Sequence, residues 1–233
     1  MKVCHIYGIS RSGIHSITNW VMGNCGITHL HRKLSYEEVD SMLFKYRENL
    51  CFTYENKDLT TTKFREGLNV LIIRDPFNHF ASVIKRPRYV VPITEETKRM
   101  KMYDDALDCA KRKNTSIVNL IDLWTQYARE ACGITNYIPS KVIIKYNDWF
   151  SDVQYRNQIA EQMGCKNLDK SLQIVPTGGG ASSFDDTKFD GKANQMNVLE
   201  RWKVYEKENW FWDLFNSEIA DLSDNLFELK GMK

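Results

Sequence analysis

The chain has 233 residues, of which 42% are hydrophobic and 12% aromatic. That is enough for the core of one α/β domain with a small helical insertion. A formal net charge of +2 is too balanced for a dedicated DNA-binding protein, so anions must be held by local clusters and no nucleic-acid partner is expected.

Taken in chain order, the apolar run Val3–Tyr7 reads as a buried strand, followed by a helix from Gly13 to about Met22. Ser35 and Glu38 form a capping-box pattern that opens a charged helix reaching Glu48. Leu50–Tyr54 and Leu68–Ile73 are the next strands, and Pro76 opens a helix to about Lys85 with Asp75 as its cap. Residues 86–113, with Pro87, Pro92 and Thr94-Glu-Glu-Thr, break the alternation and lead into an amphipathic helix from Ser116 to Cys132. Together they predict a helical insertion near 86–132 that faces a substrate. Lys141–Tyr146 reads as a strand, Asp152–Met163 as a helix stopped by Gly164, and Asn197 to about Phe215 as a tryptophan-rich helix.

Strand and helix alternate, which predicts one domain over 1–233 with a mostly parallel central sheet covered by helices on both faces. The six cysteines (Cys4, Cys25, Cys51, Cys109, Cys132, Cys165) contain no C-x-x-C pair. Four of them sit in or beside apolar runs, which fits small buried side chains in a reducing compartment. Cys25, His29 and His31 match no standard zinc spacing, and no metal is expected. No apolar run approaches membrane-spanning length and the first strand starts almost at Met1, so a cytoplasmic protein without a membrane partner is expected.

Two strand-to-helix turns carry the chemistry. The first is Gly8-Ile-Ser-Arg-Ser-Gly13-Ile-His-Ser16. Its glycines have the spacing of a Walker A loop, but Ile14 and His15 stand where that loop has Lys and Ser/Thr. Without both, transfer of a nucleoside-triphosphate phosphoryl group lacks its usual charge neutralisation. The second turn is Arg74-Asp-Pro-Phe-Asn-His-Phe-Ala-Ser82, at the C-terminal edge of a buried strand, where open α/β sheets hold ligands. The planar fork of Arg74 suits phosphate. Ser82 is expected to donate from the exposed face of its helix, and His79 to lie on the outer face.

The pair resembles the nucleotide motifs of the sulfotransferases that use 3′-phosphoadenosine-5′-phosphosulfate (PAPS). Arg11-Ser12-Gly13 is similar to that family's 5′-phosphosulfate loop, and Arg74 with Ser82 to its 3′-phosphate clamp. Ile144-Lys-Tyr-Asn-Asp-Trp149 is similar to a Tyr-Glu-Asp-Leu segment, with Asn147 in place of the glutamate. The resemblance implies a P-loop-type α/β fold and nucleotide contacts from Arg11, Ser12, Gly13, Ile14, His15, Ser16, Arg74 and Ser82. It also implies a small-molecule or saccharide acceptor, with no metal. The family carries its base at the end of the strand between the two loops. Here Glu55 stands there, with Asp58 in reserve, and Arg11 would stabilise the leaving oxygen. The loop Gly178–Gly180 with Ser182 and Ser183, the cluster Lys85, Arg86 and Arg88, and Arg201 with Lys203 are further candidates for holding phosphate or an anionic acceptor. A P-loop kinase and a non-catalytic nucleotide-binding protein of the same scaffold are the alternatives.

Overall fold

The computed structural model describes residues 3–32, 36–46, 49–63, 65–85, 117–166, 184, 189 and 195–229. Its centre is a five-stranded sheet in the order β2-β3-β1-β4-β5, built from β1 (Val3–Gly8), β2 (His29–Arg32), β3 (Leu50–Glu55), β4 (Leu68–Ile73) and β5 (Lys141–Lys145). Every pairing is parallel, with Tyr7 opposite Tyr54 on one side of β1 and opposite Leu71 on the other. Strands buried on both faces need apolar side chains in both directions, which is why β1, β3 and β4 read as near-continuous apolar runs.

Alternation along the strands divides the core into two layers. Tyr7, Phe52, Tyr54, Leu71 and Ile73 pack under α3 (Pro76–Ile84), α4 (Ile117–Ala131), α7 (Asn209–Trp212) and α8 (Ser217–Phe227). Cys4, Ile6, Cys51, Val70, Ile72 and Ile144 pack under α1 (Ile14–Cys25), α5 (Tyr146–Ser151) and α6 (Val153–Gln162). A further helix, α2 (Tyr36–Tyr46), adds Val39 to the first layer.

Local rules set the helix ends. Gly26 closes α1 in the left-handed region, and its N–H donates to the Met22 carbonyl. Asp75 caps α3 by accepting from the Asn78 N–H, and Pro76 occupies the first turn, as the sequence predicts.

The α/β class and the parallel sheet agree with the sequence reading, and several boundaries do not. Strand β2 was not anticipated, because four residues rich in His and Arg at a sheet edge carry no apolar signal. Tyr146 opens α5 rather than ending β5. The helix expected from Asn197 to Phe215 is instead a 3₁₀ stretch (Arg201–Tyr205) and the short α7, and α8 follows it unanticipated. Ser35 of the capping box, the insertion from 86 to 116, Arg86, Arg88 and the loop with Gly178–Gly180, Ser182 and Ser183 lie outside the described residues. The expectation of reduced cysteines fails at Cys25 and Cys165, which form a disulfide between the end of α1 and the turn after α6. Cys25 therefore has no thiolate to offer a zinc site. No helix among the described residues is long and apolar enough to cross a membrane.

Candidate functional site

The chain passes from β1 to β2 and β3 on one side of the sheet, then crosses back to β4, which leads outward to β5. The carboxyl ends of β1 and β4 are therefore the switch point of the sheet, where a crevice forms for a ligand. Both sequence motifs lie there.

The first turn is tightly held. The Ser12 N–H donates to the Ile9 carbonyl at 3.0 Å. Arg11 has φ 73°, a left-handed conformation uncommon for a side chain of its size. Gly13 has φ 87°, and a Cβ placed on it would lie 2.1 Å from Cδ2 of Tyr146. The tyrosine ring thus occupies the space that any other residue at 13 would need. Gly13 caps α1 without a side-chain hydrogen bond, and the start of this helix faces the carboxyl edge of the sheet, where helix N-termini favour anions. Ile14 turns into the core beside Gly8, which explains why it cannot act as a Walker lysine would. His15 and Ser16 follow in the first turn, both half-buried.

Arg74 leaves β4 on the same face. It is 1% exposed and lies over the Tyr146 ring, 4.8 Å from the centroid. One Nη donates to the Arg11 carbonyl at 3.1 Å, and the other donates to the Val198 carbonyl. Its own carbonyl accepts from the Trp124 indole at 2.8 Å. Arg74 therefore ties the first turn to the second and to the segment near 198. Burial lowers its affinity for the proton, while Tyr146 and Asp75 oppose that shift. Asp75 is buried beside it, with its carboxyl pushed up by desolvation and drawn down by Arg74.

Ser82 is where the two motifs meet. Its expected exposed position is corrected: the residue is 1% exposed, because every residue of α3 is buried. Its hydroxyl oxygen accepts from Nε of Arg11 at 3.2 Å and from Arg201 at 3.0 Å. A hydroxyl has two lone pairs and one hydrogen. With both lone pairs engaged, the O–H is left to donate.

Arg201 reaches this point through Asn78. The Asn78 carboxamide accepts from the Arg201 N–H at 2.6 Å and donates to the Leu199 carbonyl at 2.8 Å. A side chain on α3 thereby holds the 199–201 backbone as a neighbouring strand would. Phe184 sits between the Arg201 guanidinium and the Lys85 ammonium, each 4.7 Å from the ring centroid. Lys203 instead pairs with Glu200 at the surface.

His79 is also corrected. It is fully buried rather than on an outer face, and neither ring nitrogen has a hydrogen-bond partner among the described residues. Desolvation, with the charges of Arg74 and Arg11, lowers its pKa to about 3.

Glu55 ends β3 half-buried and opposite Gly8, the last residue before the first turn. Asn56, which follows it, has φ 57°. Its side chain accepts from the Ser10 N–H at 2.8 Å and donates to the Ser10 hydroxyl at 3.3 Å. Asp58 is exposed, three residues beyond Glu55. It caps the turn Leu59–Thr61, accepts from the Thr60 N–H, the Thr60 hydroxyl and Gln126, and those bonds hold its carboxyl below the usual range.

Sequence reasoning did not assign Asn56, Asn78, Trp124 or Tyr146 to the site. Only Tyr146 carried a signal, through its place in the Ile144–Trp149 segment.

Two buried polar groups at this edge, Oγ of Ser12 and Nε of Arg74, lack a partner among the described residues, and phosphate oxygens would satisfy both. The arrangement fits an anion with several acceptor oxygens. No family model, characterised protein or solved structure matches the chain.

Proposed function

We propose that this protein is a PAPS-dependent sulfotransferase acting on a hydroxyl of a small molecule or saccharide. The observation that carries the reading is the Ser82 hydroxyl, which accepts from Arg11 and Arg201 and so keeps its own hydrogen for a ligand oxygen. Arg11 belongs to the turn after β1 and Ser82 to the helix after β4, so their hydrogen bond joins the two motifs. A nucleotide with phosphate at each end suits a crevice with Ser12 and the start of α1 on one side and Ser82 on the other.

In this reading Glu55 takes the proton of the acceptor hydroxyl as its oxygen bonds to sulfur. The bond from sulfur to the phosphate oxygen breaks, and its electron pair stays on that oxygen. Arg11 and the N–H groups at the start of α1 neutralise the charge that develops there. Glu55 is the base in preference to Asp58, which is exposed and caps the turn Leu59–Thr61.

The test is a thermal shift with adenosine 3′,5′-bisphosphate against ATP with Mg²⁺. Ligand at 100 times its dissociation constant adds about 2.7 kcal/mol of stability. Stabilisation by the bisphosphate alone is expected, followed by transfer of labelled sulfate from PAPS to a hydroxyl acceptor that Glu55→Gln abolishes. Equal stabilisation by ATP with Mg²⁺, or none by the bisphosphate, would end the proposal.

A further inference from the structure

We infer that Asn56 is a positioning residue that couples the nucleotide loop to the base, so that filling the loop fixes the end of β3. The inference rests on the sulfotransferase reading and deepens it.

Asn56 joins the two regions at three points. Its backbone N–H donates to the Gly8 carbonyl at 3.0 Å. Its carboxamide oxygen accepts from the Ser10 N–H at 2.8 Å, and its amide nitrogen donates to the Ser10 hydroxyl at 3.3 Å. The residue before Asn56 is Glu55, and the residue after Ser10 is Arg11. A displacement of the Ser10–Arg11 turn is therefore passed toward Glu55 by the Asn56 side chain, alongside the backbone bond to Gly8.

The far side of the same loop is fixed. The Leu59 N–H donates to Gln126 at 2.7 Å, the Tyr127 hydroxyl donates to the Lys57 carbonyl at 3.1 Å, and Asp58 accepts from Gln126 at 2.9 Å. With residues 57–59 anchored on α4 and Glu55 paired opposite Gly8, the Asn56–Ser10 bonds are the side-chain link between the end of β3 and the turn after β1. The left-handed backbone at Asn56 supports the assignment. Asparagine tolerates φ 57° better than other residues with side chains, and glycine tolerates it too, but glycine cannot make the bridge.

That distinction supplies the variant. Asn56→Gly keeps the backbone and removes both side-chain bonds. Hydrogen exchange is followed amide by amide with adenosine 3′,5′-bisphosphate as the probe. In the unaltered protein the bisphosphate is expected to slow exchange at residues 10–16 and at 55–57. In Asn56→Gly, protection at 10–16 persists and protection at 55–57 is lost. Turnover of PAPS by the variant falls roughly 10- to 100-fold in kcat, while KM for PAPS changes by less than about threefold. A residue of merely structural importance would not separate the two constants in this way.

Ser10→Ala severs the amide–hydroxyl arm from the other end, and a smaller loss of kcat with unchanged KM is expected. It carries the test if Asn56→Gly does not fold. Protection at 10–16 without protection at 55–57 in the unaltered protein overturns the coupling and leaves the nucleotide reading standing. Protection at 55–57 that survives Asn56→Gly overturns it as well. Absence of any protection at 10–16 overturns the nucleotide reading, and the coupling with it.

Discussion

The Tyr146 ring lies against Gly13 so closely that a single added carbon on the glycine would overlap it, at 2.1 Å from Cδ2 and 2.2 Å from Cε2. The residue is constrained twice, by its left-handed φ of 87° and by this contact. The ring also carries the Arg74 guanidinium, so both motifs rest on one side chain. Gly13→Ala is expected to destabilise the protein by about 2 kcal/mol or more, combining backbone strain with overpacking. Bisphosphate binding should weaken in parallel. Adding Tyr146→Ala to Gly13→Ala should cost less than the two single changes together, because the overlap then disappears. Urea unfolding of the four proteins measures this, and strict additivity would contradict the packing argument.

Arg74 and Ser82 serve the site differently, and mutation should separate them. Arg74 donates to two backbone carbonyls and is buried, so Arg74→Ala leaves both without that donor. A loss of about 3 kcal/mol in the absence of ligand is expected, with no remaining stabilisation by the bisphosphate. Ser82→Ala removes one buried acceptor from two arginines. A loss of about 1 kcal/mol without ligand is expected, smaller than for Arg74→Ala, while the bisphosphate dissociation constant rises roughly tenfold. If Ser82→Ala proves the more destabilising of the two, the division of roles is wrong.

The two turns could be read from the sequence because each follows a buried strand and is punctuated by Gly or Pro. The cap at Asp75 was legible for the same local reason. His79 and Ser82 were misplaced because α3 is buried on every side, and periodicity assigns an outer face only where one exists. Arg201 was visible as a candidate, but not its route to the site. That route is a side-chain to backbone contact between Asn78 and residues 199–201, far apart in sequence. Asn56 gave no signal, since a lone asparagine after a strand looks like any turn residue.

His79 should make the protein labile to mild acid. Its pKa falls from 6.5 to about 3 in the folded chain, chiefly through burial and secondarily through Arg74, with the Ser10 backbone opposing and Arg11 adding to the shift. The unfolded chain therefore binds a proton that the native protein refuses. Stability is complete above pH 6.5 and is lost as the pH falls toward 3. Buried His5, lowered to about 4, acts in the same sense. Between pH 6.5 and 4.5, above the usual carboxylate range, each histidine should remove on the order of 2 kcal/mol. Urea midpoints across that window should drop steeply, and His79→Phe should reduce the slope by about half. An unchanged slope in that variant would show that His79 is protonated in the native state.

The Cys25–Cys165 disulfide joins residues 140 apart in sequence. Each cysteine is set by a helix stop: Gly26 follows Cys25 with φ 67°, and Gly164 precedes Cys165 with φ 65°. The bond fastens the end of α1, whose other end follows the Gly8–Gly13 turn, to the turn after α6. Closing a loop of that length removes roughly 5 kcal/mol of unfolded-state entropy in the chain-entropy model. For a chain of this size that corresponds to a melting temperature lower by roughly 10–20 °C after reduction. Cys25→Ser should show the same loss without reductant and should be insensitive to it. Alkylation under native-free, non-reducing conditions followed by mass spectrometry should leave Cys25 and Cys165 unlabelled while Cys4, Cys51 and Cys132 react. Alkylation of Cys25, or a melting temperature indifferent to reductant, would remove the disulfide from the account of this fold.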